Sequence, residues 1–219
     1  MIEISVSQEI WDLFPETHYG IICCEVQNTP YNSKLWEDIQ ILEKDIRLKY
    51  KLETIREQIN IFTTREAYKA FGGDPNRYRP SADSLYRRIV KGNELYQINT
   101  LVDIINMISL KTGYSIGAFD LDKVAGNIVV GIGRKGEPYE GIGRGEINIE
   151  GLQVLRDNKG PIGTPTSDHV RTSVRVGTRL FYMHINAYSG LKNLENAISY
   201  AEEGLIKFVS ARDIETKII

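Results

Sequence analysis

The segment from Gly160 to Thr172 combines a fixed backbone path with several reactive side chains. Its glycines and prolines restrict the backbone, and its second half offers hydroxyl, carboxylate, imidazole and guanidinium groups. A rigid loop that presents polar groups commonly forms one wall of a pocket. The alternative is a solvated hairpin with a turn at Asp168. The residues of the loop leave both interpretations open, and its candidate site residues are Gly163, Thr164, Thr166, Ser167, Asp168, His169 and Arg171.

Ser167, Asp168 and His169 are consecutive, which argues against a serine hydrolase. A catalytic triad needs its members to converge from different segments, whereas neighbours in an extended chain point in opposite directions. The three histidines also lack a recognised ligand spacing, so we expect no metal site.

A second polar group lies on a helix that is predicted from Thr100 to the glycine at position 113. Thr100 is the expected N-cap, and apolar residues surround most of the helix, which indicates that it is buried. Asn99, Asp103 and Asn106 recur at four and then three residues and so form one stripe. Either backbone groups satisfy this stripe or it faces a wet cavity. In the first case Asp103 belongs to a capping box and Asn106 is a core amide.

A third group is basic and lies between residues 77 and 91, across a loop and a short helix expected to be capped by Ser81. Arginine beside tyrosine is suited to holding phosphates and stacking bases, although the same pattern occurs at ordinary helix ends. The predicted RNA-binding residues are Arg77, Arg79, Arg87 and Arg88.

The pattern Gly131 to Gly136 matches a dinucleotide-binding fingerprint after a strand, but Glu137-Pro138 and a second glycine turn follow where a helix is required. We therefore predict successive turns of a meander.

These groups must be positioned by both helices and strands. We predict strands at 1–10, 18–28, 116–119, 128–132, 147–155 and 172–186, a long charged helix from Asn32 or Ser33 continuing towards Ile59, and a helix capped by Asn193. The segment 210–219 shows no clear pattern.

The composition is that of an ordinary globular protein, with 219 residues, 42% hydrophobic residues and a net charge of −2. The length suits one domain, 1–219. The small net charge gives no reason to expect DNA binding, and RNA contact requires a local patch.

We see no secretion signal and no stretch long enough to cross a membrane, and Cys23 and Cys24 are expected to be reduced core residues. The expected location is cytoplasmic.

From Asn99 onward the sequence resembles the B-three/B-four domain of the bacterial phenylalanyl-tRNA synthetase beta subunit. The resemblance rests on Asn99, Val102-Asp103 and Asn106, on Ala118-Phe119-Asp120, and on Gly126 to Val130. Free-standing proteins made of this domain share Arg79-Pro80-Ser81 and the loop from Gly160 to Asp168. The most similar part is 77–188. The resemblance implies a mixed α/β (α+β) fold, in which a mostly antiparallel or mixed sheet is packed by helices.

The resemblance also implies an editing site that hydrolyses misacylated tRNA, without the aminoacylating activity of the synthetase. The pocket asparagine falls on Asn106 and the glycine-rich wall near Gly163 and Thr164. The sequence departs from the family pattern in two ways. Gly117 replaces the pocket histidine and Ser115 replaces the proline two residues before it. No carboxylate lies at 182–184, where the family has an acidic residue.

By this hypothesis Asn106 and the amides near Gly163 and Thr164 hold the aminoacyl group. Asp168 or His169 orients water, and Arg171 contacts the terminal phosphate. Asn99, Asp103, Gly117, Thr166 and Ser167 complete the expected substrate pocket, and no cofactor is expected. The partner is the 3′ end of a tRNA or aminoacyl-tRNA, or a small amino-acid-like ligand. The alternatives are a non-catalytic module that binds an amino acid or metabolite, and an RNA adaptor that uses the arginine cluster.

Overall fold

A computed structural model describes residues 2–219 and shows six helices and ten strands in that range. The helices are α1 (Gln8–Leu13), α2 (Ser33–Lys49), α3 (Ile59–Ala70), α4 (Ser81–Val90), α5 (Thr100–Thr112) and α6 (Leu194–Val209). The strands are β1 (Ile4–Val6), β2 (His18–Glu25), β3 (Ser115–Asp120), β4 (Ile128–Ile132), β5 (Glu140–Gly141), β6 (Gly145–Glu146), β7 (Gln153–Asp157), β8 (Gly160–Gly163), β9 (Leu180–Ala187) and β10 (Arg212–Ile218). This content confirms the predicted mixed α/β class.

The strands form two four-stranded sheets and one short hairpin. The first sheet has the order β10-β2-β9-β3 and is antiparallel throughout. The second has the order β1-β4-β7-β8, with β1 parallel to β4 and the other pairs antiparallel. Strands β5 and β6 pair with each other, and Gly141 of β5 also forms an isolated antiparallel bridge with His169.

Strand β2 shows how these sheets are layered. Its residues Tyr19, Ile21 and Cys23 pack in a core with residues of the second sheet, whereas Ile22 and Cys24 pack in a core with the helices. Successive side chains of a strand point to opposite faces, so a strand that is buried on both sides reads as a continuous apolar run. The first sheet is therefore a middle layer between helices and the second sheet. Both cysteines are free and buried, as predicted.

Helix α5 crosses the helical layer and carries the predicted polar stripe. Its N-cap is Asn99, whose side chain accepts a hydrogen bond from the Val102 amide, and not Thr100 as the sequence pattern indicated. Asn99 precedes the first helical residue in extended backbone, which is the geometry an N-cap needs. Gly113 ends the helix with a φ of 77°, a conformation that favours glycine.

Several sequence-based boundaries require correction. The single long helix predicted after Asn32 divides into α2, a short 3-10 helix (Thr54–Glu57) and α3. Of the residues 2–10, only Ile4–Val6 forms a strand, and the last segment forms edge strand β10. Most of 172–186 is not strand either, because β9 begins at Leu180 and the preceding residues form a 3-10 turn and a loop.

The glycine pattern from Gly131 to Gly136 is followed by turns and the β5-β6 hairpin rather than a helix, which confirms the rejection of a dinucleotide site. Among residues 2–219, no helix has the length and apolar character needed to cross a membrane.

Candidate functional site

A cavity of about 470 Å³ opens where α5, β3 and the loop after β8 meet. Its walls also include the start of α4, the tip of the β5-β6 hairpin and the loop that leads into β9. The loop after β8 thus forms one side of the cavity and α5 another, as the sequence predicted for the pocket.

Much of the cavity wall is apolar. Helix α5 contributes Val102 and Ile105, β3 contributes Ile116 and Ala118, and the loops contribute Val170 and Val174. An apolar wall with a few polar groups is typical of a small-ligand site. The arrangement can therefore take a ligand with one apolar part and one polar part.

Asp168 provides the only carboxylate among the residues that line this cavity in the described chain. Its Oδ2 accepts a hydrogen bond of 3.0 Å from the Ala118 amide, whereas Oδ1 accepts none from residues 2–219. Burial raises the pKa of Asp168 from 3.8 to about 7, and the bond from Ala118 only partly opposes this shift. A half-satisfied carboxylate with a pKa near neutrality can accept a proton or pair with a cation.

Two glycines make room for this carboxylate. A Cβ atom at Gly117 or at Gly163 would lie 3.1 Å from Asp168 Oδ1. The same atoms would lie 3.0 and 2.5 Å from Cζ of Phe119, a fully buried ring that stacks on Tyr182. Both glycines were predicted to contact substrate. The structure instead places them beneath Asp168, where they define its position without lining the cavity.

Asn106 is the one residue of the predicted stripe that lines the cavity, and its amide makes no hydrogen bond within residues 2–219. The hydroxyl groups of Ser81 and Ser173 also line the cavity and are likewise without a hydrogen-bond partner in the described chain. These groups and Asp168 are therefore available to a ligand.

The other two members of the stripe are satisfied inside the protein, which corrects the expectation that they face the cavity. Asn99 Oδ1 accepts bonds from the Val102 amide and from Asn28 Nδ2. Asp103 accepts bonds from the Trp36 indole at 2.9 Å and from the Ile98 amide at 3.1 Å. The three residues extend along two turns of one helix face. Asn99 and Asp103 therefore lie beside Asn28 and Trp36, and only the next member, Asn106, reaches the cavity.

Within the loop, several of the predicted site residues stabilise the backbone. Thr164 lines the cavity, but its amide and hydroxyl donate to the Ser167 carbonyl, so this amide is not free to hold an aminoacyl group. The Thr166 hydroxyl pairs with that of buried Tyr68 at 2.8 Å. Ser167 also lines the cavity, while its hydroxyl donates a 3.3 Å bond to the Asp168 carbonyl. These bonds hold Asp168 in place.

His169 and Arg171 lie outside the cavity lining, contrary to expectation. His169 Nδ1 accepts a bond from the Arg171 amide, and its ring packs edge-on against Tyr139. Burial and the nearby Arg171 guanidinium lower the pKa of His169.

Arg171 makes two hydrogen bonds to Asp157, of 2.8 and 2.9 Å. Burial alone would raise the pKa of Asp157, but the bonds from Arg171 and from the Ala125 and Lys159 amides outweigh it and lower that pKa. Arg171 is therefore committed to an internal ion pair, which leaves little of its guanidinium for a phosphate.

The four predicted RNA-binding arginines divide into two pairs. Arg87 forms an ion pair of 2.6 Å with Asp83, which is fully buried, and Arg88 donates to the Glu94 carbonyl and stacks on Tyr96. Arg77 and Arg79 are exposed and form no ion pair with residues 2–219. The start of α4 also differs from the prediction, because Pro80 occupies the N-cap and Ser81 is the first helical residue.

Sequence reasoning missed several cavity residues on irregular segments, among them Ile142, Ser173 and Arg175. Periodicity cannot locate such residues, because loops have no repeating face. Ser81, Val102 and Ala118 lay in motifs that had been recognised but were not predicted as site residues. The described residues contain no group of three or more histidine, cysteine or acidic side chains able to hold a metal ion.

Comparison with known proteins assigns a family to this architecture. The sequence model of the B3/4 domain matches residues 63–202, which is more than half of the chain. The chain belongs to the B3/4 domain family. The matched range contains the segment 77–188 for which the resemblance had been noted, and it includes every residue of the cavity.

The chain is also similar to two proteins of known name. Over 70 residues it is 39% identical to the phenylalanine–tRNA ligase beta subunit of Bartonella henselae, a match that covers 31% of this chain and 9% of that subunit. The crystal structure of an N-terminal fragment of the phenylalanyl-tRNA synthetase beta-subunit from Pyrococcus horikoshii matches with a TM-score of 0.46 and 15% identity. That match covers 99% of this chain and 50% of the fragment. The chain thus spans half or less of the length of either relative.

Proposed function

We propose that this B3/4 domain binds the aminoacylated 3′ end of a tRNA in the cavity and hydrolyses the ester of a misacylated tRNA in trans. Family membership and the name of the bacterial relative support a tRNA-linked substrate. The observation that carries the proposal is Asp168, which lines the cavity and whose Oδ2 is fixed by the Ala118 amide, while its Oδ1 accepts no hydrogen bond from residues 2–219.

The free groups of the cavity match the needs of ester hydrolysis. The apolar wall takes the amino-acid side chain, and the Asn106 amide and the hydroxyls of Ser81 and Ser173 orient the ester and donate to its developing oxyanion. The unpaired Asp168 oxygen takes a proton from a water molecule, which attacks the carbonyl carbon. The bond to the ribose oxygen then breaks, and that oxygen receives the proton from Asp168.

The pKa of Asp168 suits a general base at neutral pH, because a base near the working pH is both ionised and sufficiently basic. We expect the hydrolysis rate to rise about tenfold per pH unit below pH ~7 and to level off above it. Asp168→Asn keeps an oxygen that can accept the Ala118 bond but removes the base, so the rate falls by about 10²–10⁴.

A second function is favoured by one specific feature, the glycine at position 117 where the resemblance has a histidine. In this reading the cavity binds an amino acid without turnover, and Asp168 pairs with its α-ammonium group. The same apolar wall then holds the side chain.

Incubation of the purified protein with a panel of misacylated tRNAs tests the first function, with release of the amino acid as the readout. The matched control is Asp45→Asn, on the exposed face of α2, which retains wild-type activity. If no amino acid is released faster than in buffer, hydrolysis is ruled out. Calorimetric binding of free amino acids that is lost in Asn106→Ala then establishes the binding function.

A further inference from the structure

Three exposed arginines surround the mouth of the cavity on three separate segments. Arg175 itself lines the cavity. Arg79 and Arg144 lie two residues from the lining residues Ser81 and Ile142, a span of at most ~7 Å along the chain. The guanidinium groups of all three make no ion pair or hydrogen bond with residues 2–219.

This lack of partners distinguishes the three from the arginines that are engaged inside the protein. Arg65, Arg87, Arg156 and Arg171 each contact a carboxylate. The three at the mouth are presented to solvent in a protein whose net charge is −2. The positive charge is therefore a local feature of the opening and not of the surface as a whole.

The backbone under these arginines is fixed against the loop that carries Asp168. The Ser81 amide donates to the Pro165 carbonyl at 2.8 Å, and the Ile142 amide donates to the Asp168 carbonyl at 3.0 Å. The Arg175 amide and carbonyl are held by Thr178 and Asn28. The segments that carry Arg79 and Arg144 are thus tied to the loop that carries Asp168, whereas the Arg175 backbone is held by Thr178 and Asn28.

We infer that Arg79, Arg144 and Arg175 form a phosphate-binding rim that receives the backbone of an RNA strand whose 3′ end enters the cavity. The RNA assignment rests on the proposed function, and the phosphate contact rests on the arginines themselves. The geometry supports contact between the rim and a phosphate. When the ester lies inside the cavity, the phosphate that joins the last nucleotide to its strand must lie near the mouth. Arginine presents donors that match phosphate oxygens in pairs.

The rim replaces the basic cluster predicted from sequence. It keeps Arg79, adds two arginines that are distant along the chain, and leaves Arg87 and Arg88 with intramolecular roles. Contacts between arginine and phosphate release counterions. Each contact therefore steepens the slope of log RNA affinity against log salt concentration by ~0.7–0.9.

The test compares wild type with Arg79→Gln, Arg144→Gln, Arg175→Gln and the triple variant. One probe is an RNA hairpin with a single-stranded CCA end that carries no amino acid. Its affinity is measured between about 50 and 200 mM salt. The other probe is an aminoacyl-adenosine that carries no phosphate. The control is Arg212→Gln, an exposed arginine on β10, which is the opposite edge of the sheet from β3.

The triple variant is expected to bind the RNA at least about tenfold more weakly, with a salt slope smaller by about 2–3, while its interaction with aminoacyl-adenosine is unchanged. Arg212→Gln leaves both unchanged. Equal RNA affinity of wild type and triple variant, or no RNA binding by wild type, overturns the rim. If RNA binding depends on the rim but wild type neither binds nor hydrolyses aminoacyl-adenosine, the proposed function fails and the rim stands.

Discussion

Asp103 at the start of α5 and Asp168 in the loop after β8 are both carboxylates whose pKa is raised by desolvation, yet their surroundings differ. Asp103 receives hydrogen bonds on both oxygens, from Trp36 and from the Ile98 amide. Asp168 receives one, on Oδ2, none on Oδ1 from residues 2–219, and the residue lines the cavity. The number of unsatisfied hydrogen-bonding atoms therefore separates a structural carboxylate from a candidate functional one, whereas the direction of the pKa shift does not.

Asp103→Ala is expected to have the largest effect on stability. It leaves the Trp36 indole and the Ile98 amide without acceptors in the interior, at a cost of about 2–4 kcal/mol in the free energy of unfolding. Asp168→Ala leaves one amide at a cavity that water can enter, so its cost stays below about 1 kcal/mol. Urea unfolding of both variants checks this, and equal losses would remove the distinction between the two sites.

Gly163→Ala tests how tightly the site around Asp168 is packed. The new Cβ would lie 2.5 Å from Cζ and 2.8 Å from Cε1 of Phe119, so the ring or the loop has to move. Overpacking of this kind costs about 1–3 kcal/mol. The control is Gly177→Ala, where nothing lies within 4 Å of the new atom and the backbone is not in the left-handed region. Thermal unfolding that is unchanged in Gly163→Ala would contradict the close packing.

The contrast between Asp103 and Asp168 also shows what the sequence could predict. The apolar run of β2 and the helix that ends at Gly113 could be predicted because each depends on local pattern, whereas the pocket between α5 and the loop at 160–172 was expected from the resemblance. The roles of Asn99, Asp103, His169 and Arg171 were not, because they depend on partners such as Asn28, Trp36, Tyr139 and Asp157, which are mostly distant along the chain.

The rim shows the same limit. Arg144 and Arg175 lie in turns without periodicity, and only the hydrogen bonds of the Ile142 amide to Asp168 and of Asn28 to the Arg175 carbonyl bring them to the cavity. Arg87 fitted the expected RNA-binding pattern but pairs with Asp83, a residue that the pattern did not identify as buried. Sequence spacing identifies which charges are near one another on a helix; it does not show which of them are already paired.

The stability of the wild type should depend on pH through Asp168. Its pKa is about 7 in the folded protein and near 3.8 when unfolded, so the folded state holds a proton that the unfolded state releases between these values. Stability therefore falls as pH rises from about 4 to about 7, by about 1–2 kcal/mol after allowance for partial exposure. The Asp168→Asn variant cannot ionise at this position and therefore lacks this pH-dependent loss of stability. Urea unfolding of both proteins at pH ~4.5 and pH ~8 should show their difference grow with pH.

A constant difference between the two proteins would mean that Asp168 ionises normally and that its second oxygen is well solvated. Asp157 provides the opposite case, since its pKa is lowered and its contribution is lost as pH falls. The comparison of wild type with Asp168→Asn cancels the Asp157 contribution, because both proteins contain it.

The smallest expected effect distinguishes Arg87 from Arg79. Arg87→Ala removes one partner of buried Asp83, but Arg65 remains 3.2 Å from the same carboxylate, so the loss in unfolding free energy is about 1 kcal/mol or less. Arg79→Ala removes no intramolecular ion pair and leaves stability unchanged. The two variants should exchange rank when RNA affinity is measured, since the guanidinium of Arg79 is free and that of Arg87 is engaged. If Arg87→Ala weakened RNA binding more than Arg79→Ala did, without loss of stability, the division of the arginines into structural and ligand-facing groups would be wrong.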